Sequence, residues 1–187
     1  MEQETKMRKI VVSESVTVDG VFEAETMGQW AVPFYSDERN GLVREMVLAS
    51  DSLLLGRTTY DIQAWYWPNQ KGDKYGIANH KNSMPKYVVT SRPLQAQWNN
   101  SNIIKVEEIA ALKKQPGKDI LIEGSATLVA ALAQAGLIDE YKLLVHPSIM
   151  GNGKQFFKEE MGITKLRLVD SKPIRSGVIL LSYEPVR

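Results

Sequence analysis

The 187-residue sequence contains no cysteine and only two histidines, His80 and His146. Disulfide frameworks, thiol nucleophiles, iron–sulfur clusters and zinc ribbons all need ligands that this chain lacks, so no metal site is expected. No apolar run approaches the ~20 residues that span a bilayer, and residues 1–6 are charged without an apolar signal core. A cytoplasmic protein with no membrane partner is expected. An excess of one charge is missing too: 23 Lys plus Arg stand against 22 Asp plus Glu, a formal charge of +1. That balance offers no basic field to a phosphate backbone, and nucleic acid is not expected as a partner. G-x-G-x-x-G, a Walker loop, a nucleophile elbow and a carboxylate–histidine metal set are all absent, which sets aside an ordinary Rossmann fingerprint, kinase chemistry and hydrolase chemistry.

What is present is an ordinary globular composition, 43% hydrophobic and 24% charged. The length suits one core. We expect a flexible N-terminus, 1–7, and a single domain, 8–187. Lys9 to Ser15 (KIVVSES) reads as a first strand, ending before the turn dipeptide Asp19-Gly20. From Asp37 to Ser50, Leu42, Val43, Met46 and Val47 recur at helical spacing, with Glu38, Arg39, Arg44 and Glu45 opposite. Ser52 to Leu55 is a short apolar strand closed by Gly56, and Thr58 and Thr59 offer N-cap side chains to a following helix. Trp65 to Pro85 lacks periodicity and reads as a long surface excursion that includes His80 and has room for a helical turn inside. Strands are expected at Lys86 to Thr90, Asn102 to Val106 and Asp119 to Glu123, with helices at Glu107 to Lys114 and Ala126 to Ala135. The chain closes in strands at Tyr141 to His146, Leu166 to Val169 and Val178 to Tyr183. Such alternation predicts an α/β fold: a mostly parallel central sheet, helices on both faces and an antiparallel C-terminal edge pair.

In open α/β sheets ligands lie outside the carboxyl ends of the strands. Three expected strand ends carry anion chemistry there. Gly56, Arg57, Thr58 and Thr59 join a glycine to a guanidinium and hydroxyls at a helix start. Thr90, Ser91 and Arg92 repeat the hydroxyl-plus-guanidinium pattern, and Gly124, Ser125, Ala126 and Thr127 open another helix with small residues. Singly, each reads equally well as a turn glycine or a solvated cation. Together they match an adenine dinucleotide with an extra phosphate, which favours NADPH over NADH.

These residues resemble the dihydrofolate reductase-like superfamily, and in particular the reductase domain at the C-terminal end of the bifunctional riboflavin biosynthesis protein. The resemblance runs from Arg8 onward through Val18-Asp19-Gly20, Leu53 to Tyr60 (LLLGRTTY), Val88 to Arg92 (VVTSR), Ile122 to Leu128 (IEGSATL) and Leu137 to Phe157. It implies a three-layer reductase domain, a homodimer, that binds NADPH across the strand ends. Gly56, Arg57, Thr58 and Thr59 would cradle adenosine phosphates, Ser91 and Arg92 would flank the 2′-phosphate, and Gly124 to Thr127 would meet the pyrophosphate. Asp19 and Gly20 would sit in the loop over the nicotinamide. The implied reaction is hydride transfer to a planar pteridine or aminopyrimidine, as in 5-amino-6-(5-phosphoribosylamino)uracil reductase or dihydrofolate reductase. The chain departs from the riboflavin enzyme in having Gly124-Ser125 for Gly-Gly and Asp61 to Trp65 for Asp-Asp-Pro.

On the substrate side, Trp30 and Tyr35 could stack on a heterocycle or belong to the core. Asp37 and Glu38, opening the first helix, could relay a proton or merely complement the helix dipole. The alternative from another class is a non-catalytic, nucleotide-binding dimeric module that keeps the fold.

Overall fold

The computed structural model describes residues 7–186. The flexible segment expected at 1–7 lies, except for Met7, outside the described residues. Eight strands form one sheet in the order β4-β3-β2-β5-β1-β6-β8-β7. In chain order the elements are β1 (Ile10–Thr17), α1 (Met27–Trp30), α2 (Asp37–Leu48), β2 (Ser50–Gly56), α3 (Arg57–Tyr66), α4 (Ile77–Ser83), β3 (Lys86–Val89) and β4 (Ser101–Ile104). They continue with α5 (Ile109–Lys113), β5 (Asp119–Ile122), α6 (Ala126–Gln134), β6 (Glu140–His146), β7 (Leu166–Pro173) and β8 (Ile179–Pro185).

The first six strands pair in parallel, and β8 runs antiparallel to both β6 and β7. Alternation along the buried strands separates two cores. Leu53, Leu55 and Leu121 meet Val47 of α2, Tyr60 and Ala64 of α3 and Ile77 of α4. Leu54, Ile120 and Ile122 point the other way, onto Ile109 and Leu112 of α5 and Leu128, Val129 and Leu132 of α6. A dihydrofolate reductase-like three-layer arrangement results.

The excursion expected from Trp65 to Pro85 is more ordered than its sequence suggests. α3 runs on to Tyr66, and α4 occupies 77–83 and carries His80, whose Nε2 lies 2.9 Å from the Ser50 carbonyl. Helical periodicity is hard to see across a seven-residue element, which makes only two turns. α2 ends at Leu48, and β7 extends to Pro173, beyond the expected strand.

Candidate active site

The carboxyl ends of β2 and β5 touch through glycine. A Cβ at Gly56 would run into Ser125 Oγ, so a side chain there would drive the two turns apart. Gly124 has φ +84, and a Cβ there would sit 2.9 Å from Thr59 Oγ1. Gly56 caps α3 and Ser125 caps α6, the serine Oγ accepting from Leu128 N at 3.3 Å. Two helix N-termini therefore meet at one glycine-lined contact, where free N–H groups favour anions. The sequence expectation that Thr58 and Thr59 cap α3 is corrected: β2 runs straight into the helix, so Gly56 is the cap and both threonines lie in its first turn. Ala126 is buried and Thr127 exposed in the first turn of α6.

Arg57 Nε donates to Asp61 Oδ2 at 2.8 Å, and its Nη1 donates to the Pro93 carbonyl at 2.8 Å. These bonds tie α3 to the loop after β3. In that loop Thr90 Oγ1 accepts from Arg92 N at 3.1 Å, while Ser91 and Arg92 are exposed. Arg92 has no side-chain ion pair or hydrogen bond among the described residues. The geometry thus separates the two arginines: Arg57 is largely committed to protein, and Arg92 is free for a ligand phosphate.

A buried charged cluster borders the Gly124 turn. Glu123 Oε2 accepts from Lys81 Nζ and, at 3.1 Å, from Gln63 Nε2; Gln63 Oε1 in turn accepts from Trp67 Nε1 at 3.1 Å. Lys81 is 2% exposed and its Nζ sits 4.2 Å from the Trp67 ring centroid. Burial pushes the Lys81 ammonium below its ordinary value, against the pull of Glu123. Glu14, on β1, keeps partial exposure, and its Oε1 accepts from Ser15 N at 3.2 Å. Its Oε2 would be 3.6 Å from a Cβ at Gly124. Burial raises the Glu14 carboxyl to about 8, the Glu123 charge adding to this while the Ser15 N–H and Lys81 oppose it. Two carboxyls thus face one ammonium, and Glu14 keeps its proton at neutral pH.

Arg39 is a second missed group. The sequence pattern puts it on the exposed face of α2, yet it is 7% exposed. Its Nη2 donates to Ser15 Oγ at 3.1 Å, and its Cζ lies 3.9 Å from the Tyr35 ring centroid. Its Nε is buried without a partner, and no carboxylate of the described residues is within ion-pair distance. Burial lowers the guanidinium from its ordinary value. A buried cation without a carboxylate partner among the described residues is suited to an electron-rich ligand edge within reach of its charge.

Of the two readings for Trp30, stacking on a heterocycle or joining the core, the structure takes the core. Trp30 is 1% exposed, its Nε1 donates to the Glu23 carbonyl, and its ring packs at 85° against His146. Tyr35 is 41% exposed and stays at the rim, stacked on Arg39. Asp37 is held by Tyr75 OH and by Lys74 Nζ at 2.9 Å, bonds that lower its carboxyl below the ordinary range. Glu38 Oε2 accepts from Arg175 N at 3.1 Å. Both acids open α2 on its exposed side, behind the Ser36 cap, and neither joins the Glu14 cluster. Asp19 is clasped as well: Oδ1 accepts from Thr17 Oγ1 at 2.6 Å and Oδ2 from Gly151 N at 2.7 Å, holding its carboxyl down at about 2. Gly20 O accepts from Phe156 N at 2.9 Å, so the loop after β1 is pinned to the loop after β6.

The family model for the RibD C-terminal domain matches residues 8–180. The chain belongs to the RibD C-terminal domain family. The uncharacterized protein YyaP of Bacillus subtilis is 32% identical over 191 residues, covering 98% of each chain. A pyrimidine reductase-like protein from Corynebacterium diphtheriae superposes with TM-score 0.69 at 14% identity, over 96% of this chain and 92% of that one. Dihydrofolate reductase from Enterococcus faecalis, solved with NADP(H) and RAB-propyl, superposes with TM-score 0.65 at 16% identity, over 96% and 97%. The family supports a reductase-type function for the chain, and the two superpositions show the shared fold.

Within this RibD-type domain, the missed residues carry one faint sequence signal. Glu14 interrupts IVVSESVT, a strand that a parallel central position must bury, and Glu123 closes DILI at a strand end. An acid at such a position needs a partner or a proton. Lys81 and Arg39 gave no such signal, because each stands in a polar stretch whose burial depends on what packs over it.

Proposed function

We propose that this protein is an NADPH-dependent reductase acting on a planar heterocycle of the pteridine or aminopyrimidine type, with a carbonyl or similarly electron-rich edge facing Arg39. The observation that carries this reading is the glycine contact between Gly56 and Ser125, where two helix N-termini converge; the loop after β3 that bears Arg92 is tied to α3 by the Arg57–Pro93 bond. The residues fit the dinucleotide: Gly56, Gly124, Ser125 and Thr127 would receive the pyrophosphate, Thr58 and Thr59 line the same helix start, and Ser91 with Arg92 would take the 2′-phosphate. When bound, the reduced nicotinamide supplies hydride. The protein's own part is to hold and orient. Arg39 sets its positive charge beside the ligand edge, Tyr35 flattens that guanidinium from the rim, and the Asp19 clasp fixes the loop after β1. A cytoplasmic homodimer belongs to the same reading, supported by β7, which is exposed along nearly its whole length at the sheet edge.

The test is cofactor selectivity measured by fluorescence titration. NADPH should bind more tightly than NADH, and Arg92→Ala should cost ~1.5–3 kcal/mol of NADPH affinity while leaving NADH binding little changed. Arg57→Ala should cost less selectivity, since its guanidinium already serves Asp61 and Pro93. Equal affinity for the two cofactors in the unaltered protein overturns the assignment. NADPH binding without oxidation by any planar acceptor would instead favour the non-catalytic module.

A further inference from the structure

We infer, resting on the reductase reading above, that the heterocyclic substrate carries an uncharged, apolar substituent in place of a phosphorylated one, and that Ile62 and Tyr66 of α3 receive it.

The first turns of α3 fix where this face of the helix looks. Thr59 stands against Gly124, its Oγ1 2.9 Å from where a Cβ at that glycine would sit, and Gln63, one turn on, donates to Glu123 Oε2 at 3.1 Å. The face that carries Thr59 and Gln63 therefore borders the strand ends where the cofactor is placed. On a helix the surface neighbours of a residue are those three and four positions away. Ile62 follows Thr59 by three, and Tyr66 follows Gln63 by three and Ile62 by four, so both extend that face outward. Tyr60 and Ala64 turn the other way, into the core with Leu53 and Leu55.

Ile62 is 51% exposed and Tyr66 44%, two large apolar side chains side by side at the margin of the site. Adjacent exposed apolar groups at the edge of polar ligand-binding turns mark the place where the apolar part of a ligand lies. Their wall is held from within. The Tyr66 ring meets Trp67 edge to face at 4.9 Å, and Trp67 Nε1 donates to Gln63 Oε1 at 3.1 Å.

Charge decides the class of substituent. From Thr58 to Gln70 the chain has no Lys or Arg. Arg57, at the head of the helix, is engaged by Asp61 and the Pro93 carbonyl, Lys81 is bonded to Glu123, and Lys74 is bonded to Asp37. A phosphorylated tail laid on Ile62 and Tyr66 would give up water, meet no uncommitted cation on α3, and lie beside the Glu123 carboxylate. An aryl or alkyl group has no polar atom to desolvate there, and it removes both side chains from water.

The test uses the full chain and two rings, a pterin and an aminouracil, each carrying either a phenyl group or a phosphorylated side chain, titrated by calorimetry with and without oxidised cofactor. The phenyl form of at least one ring should bind about tenfold or more tighter than its phosphorylated partner. Ile62→Ser with Tyr66→Ser should bring that pair to within about threefold by weakening the phenyl form alone. Ile62→Lys should move affinity the other way, toward the phosphorylated form. Ile163→Ser, which removes an exposed apolar side chain from the segment before β7, should leave the preference unchanged. Equal or tighter binding of the phosphorylated forms by the unaltered protein overturns the assignment, as does a preference that survives both Ile62→Lys and the double substitution, or failure of all four probes to bind. Those outcomes leave the cofactor assignment standing on its own titration. Failure to bind NADPH, with the phenyl preference intact, overturns the reductase reading and leaves the ring site.

Discussion

His146 shows how little a residue's identity says about its duty here. It ends β6, is fully buried against Trp30 and Phe34, and its Nδ1 lies 3.0 Å from the Leu144 carbonyl while Nε2 has no hydrogen-bond partner among the described residues. Burial, with Arg39 adding to it, lowers its value from 6.5 to about 4. Between those pH values the unfolded chain binds a proton that the native state refuses. Stability is therefore complete above pH 6.5 and falls as pH drops through the window, by roughly 3 kcal/mol at most. We expect the thermal midpoint to fall more between pH 7 and 4.5 for the wild type than for His146→Phe, which fills the same aromatic slot without titrating. Parallel curves for the two proteins would remove His146 as the acid-sensitive group.

At the scale of elements, function depends on two strand–helix junctions meeting. β2 passes into α3 with only Gly56 between sheet and helix, and β5 reaches α6 through Glu123, Gly124 and Ser125. Gly124→Val would place a branched side chain at φ +84 and against Thr59 Oγ1. The strain should lower stability by about 1–3 kcal/mol, and NADPH affinity should drop tenfold or more because the turn can no longer present its backbone closely. Circular dichroism and cofactor titration on the same sample separate the effects. A folded Gly124→Val protein with unchanged NADPH affinity would make this junction a structural hinge only. α4 matters for the same reason: two turns of helix, hidden in a polar stretch, carry Lys81 to Glu123.

For the whole molecule, the sheet is covered at its centre and exposed along its β7 margin. β7 exposes Leu168 at 51% and Val169 at 48%, and neighbouring β8 exposes Ile179 at 38%. Apolar side chains on an unpaired edge invite a second copy, and a two-fold pairing would cover the same residues on both chains. Light scattering at micromolar concentration should give a dimer mass, and Leu168→Asp with Val169→Asp should shift it to monomer while secondary structure is retained. A monomeric wild type would leave this margin without a homotypic role.

The strand–glycine–helix units, the mostly parallel sheet and the antiparallel C-terminal pair were legible in the sequence. Each rests on local periodicity and on turn residues that act within a few positions. The candidate cofactor turns were legible for the same reason, since Gly56, Ser91, Arg92 and Gly124 each follow a recognisable strand. What surrounds them was decided by tertiary packing. Trp30 and Arg39 are buried because α1 and α2 fold over the end of β1, and Lys81 finds Glu123 because α4 lies 42 residues away in sequence but adjacent in space. Glu14 was visible only as an acid in a strand. Its retained proton depends on which neighbours arrive and which are already paired, and desolvation and charge at that distance are properties of the assembled fold.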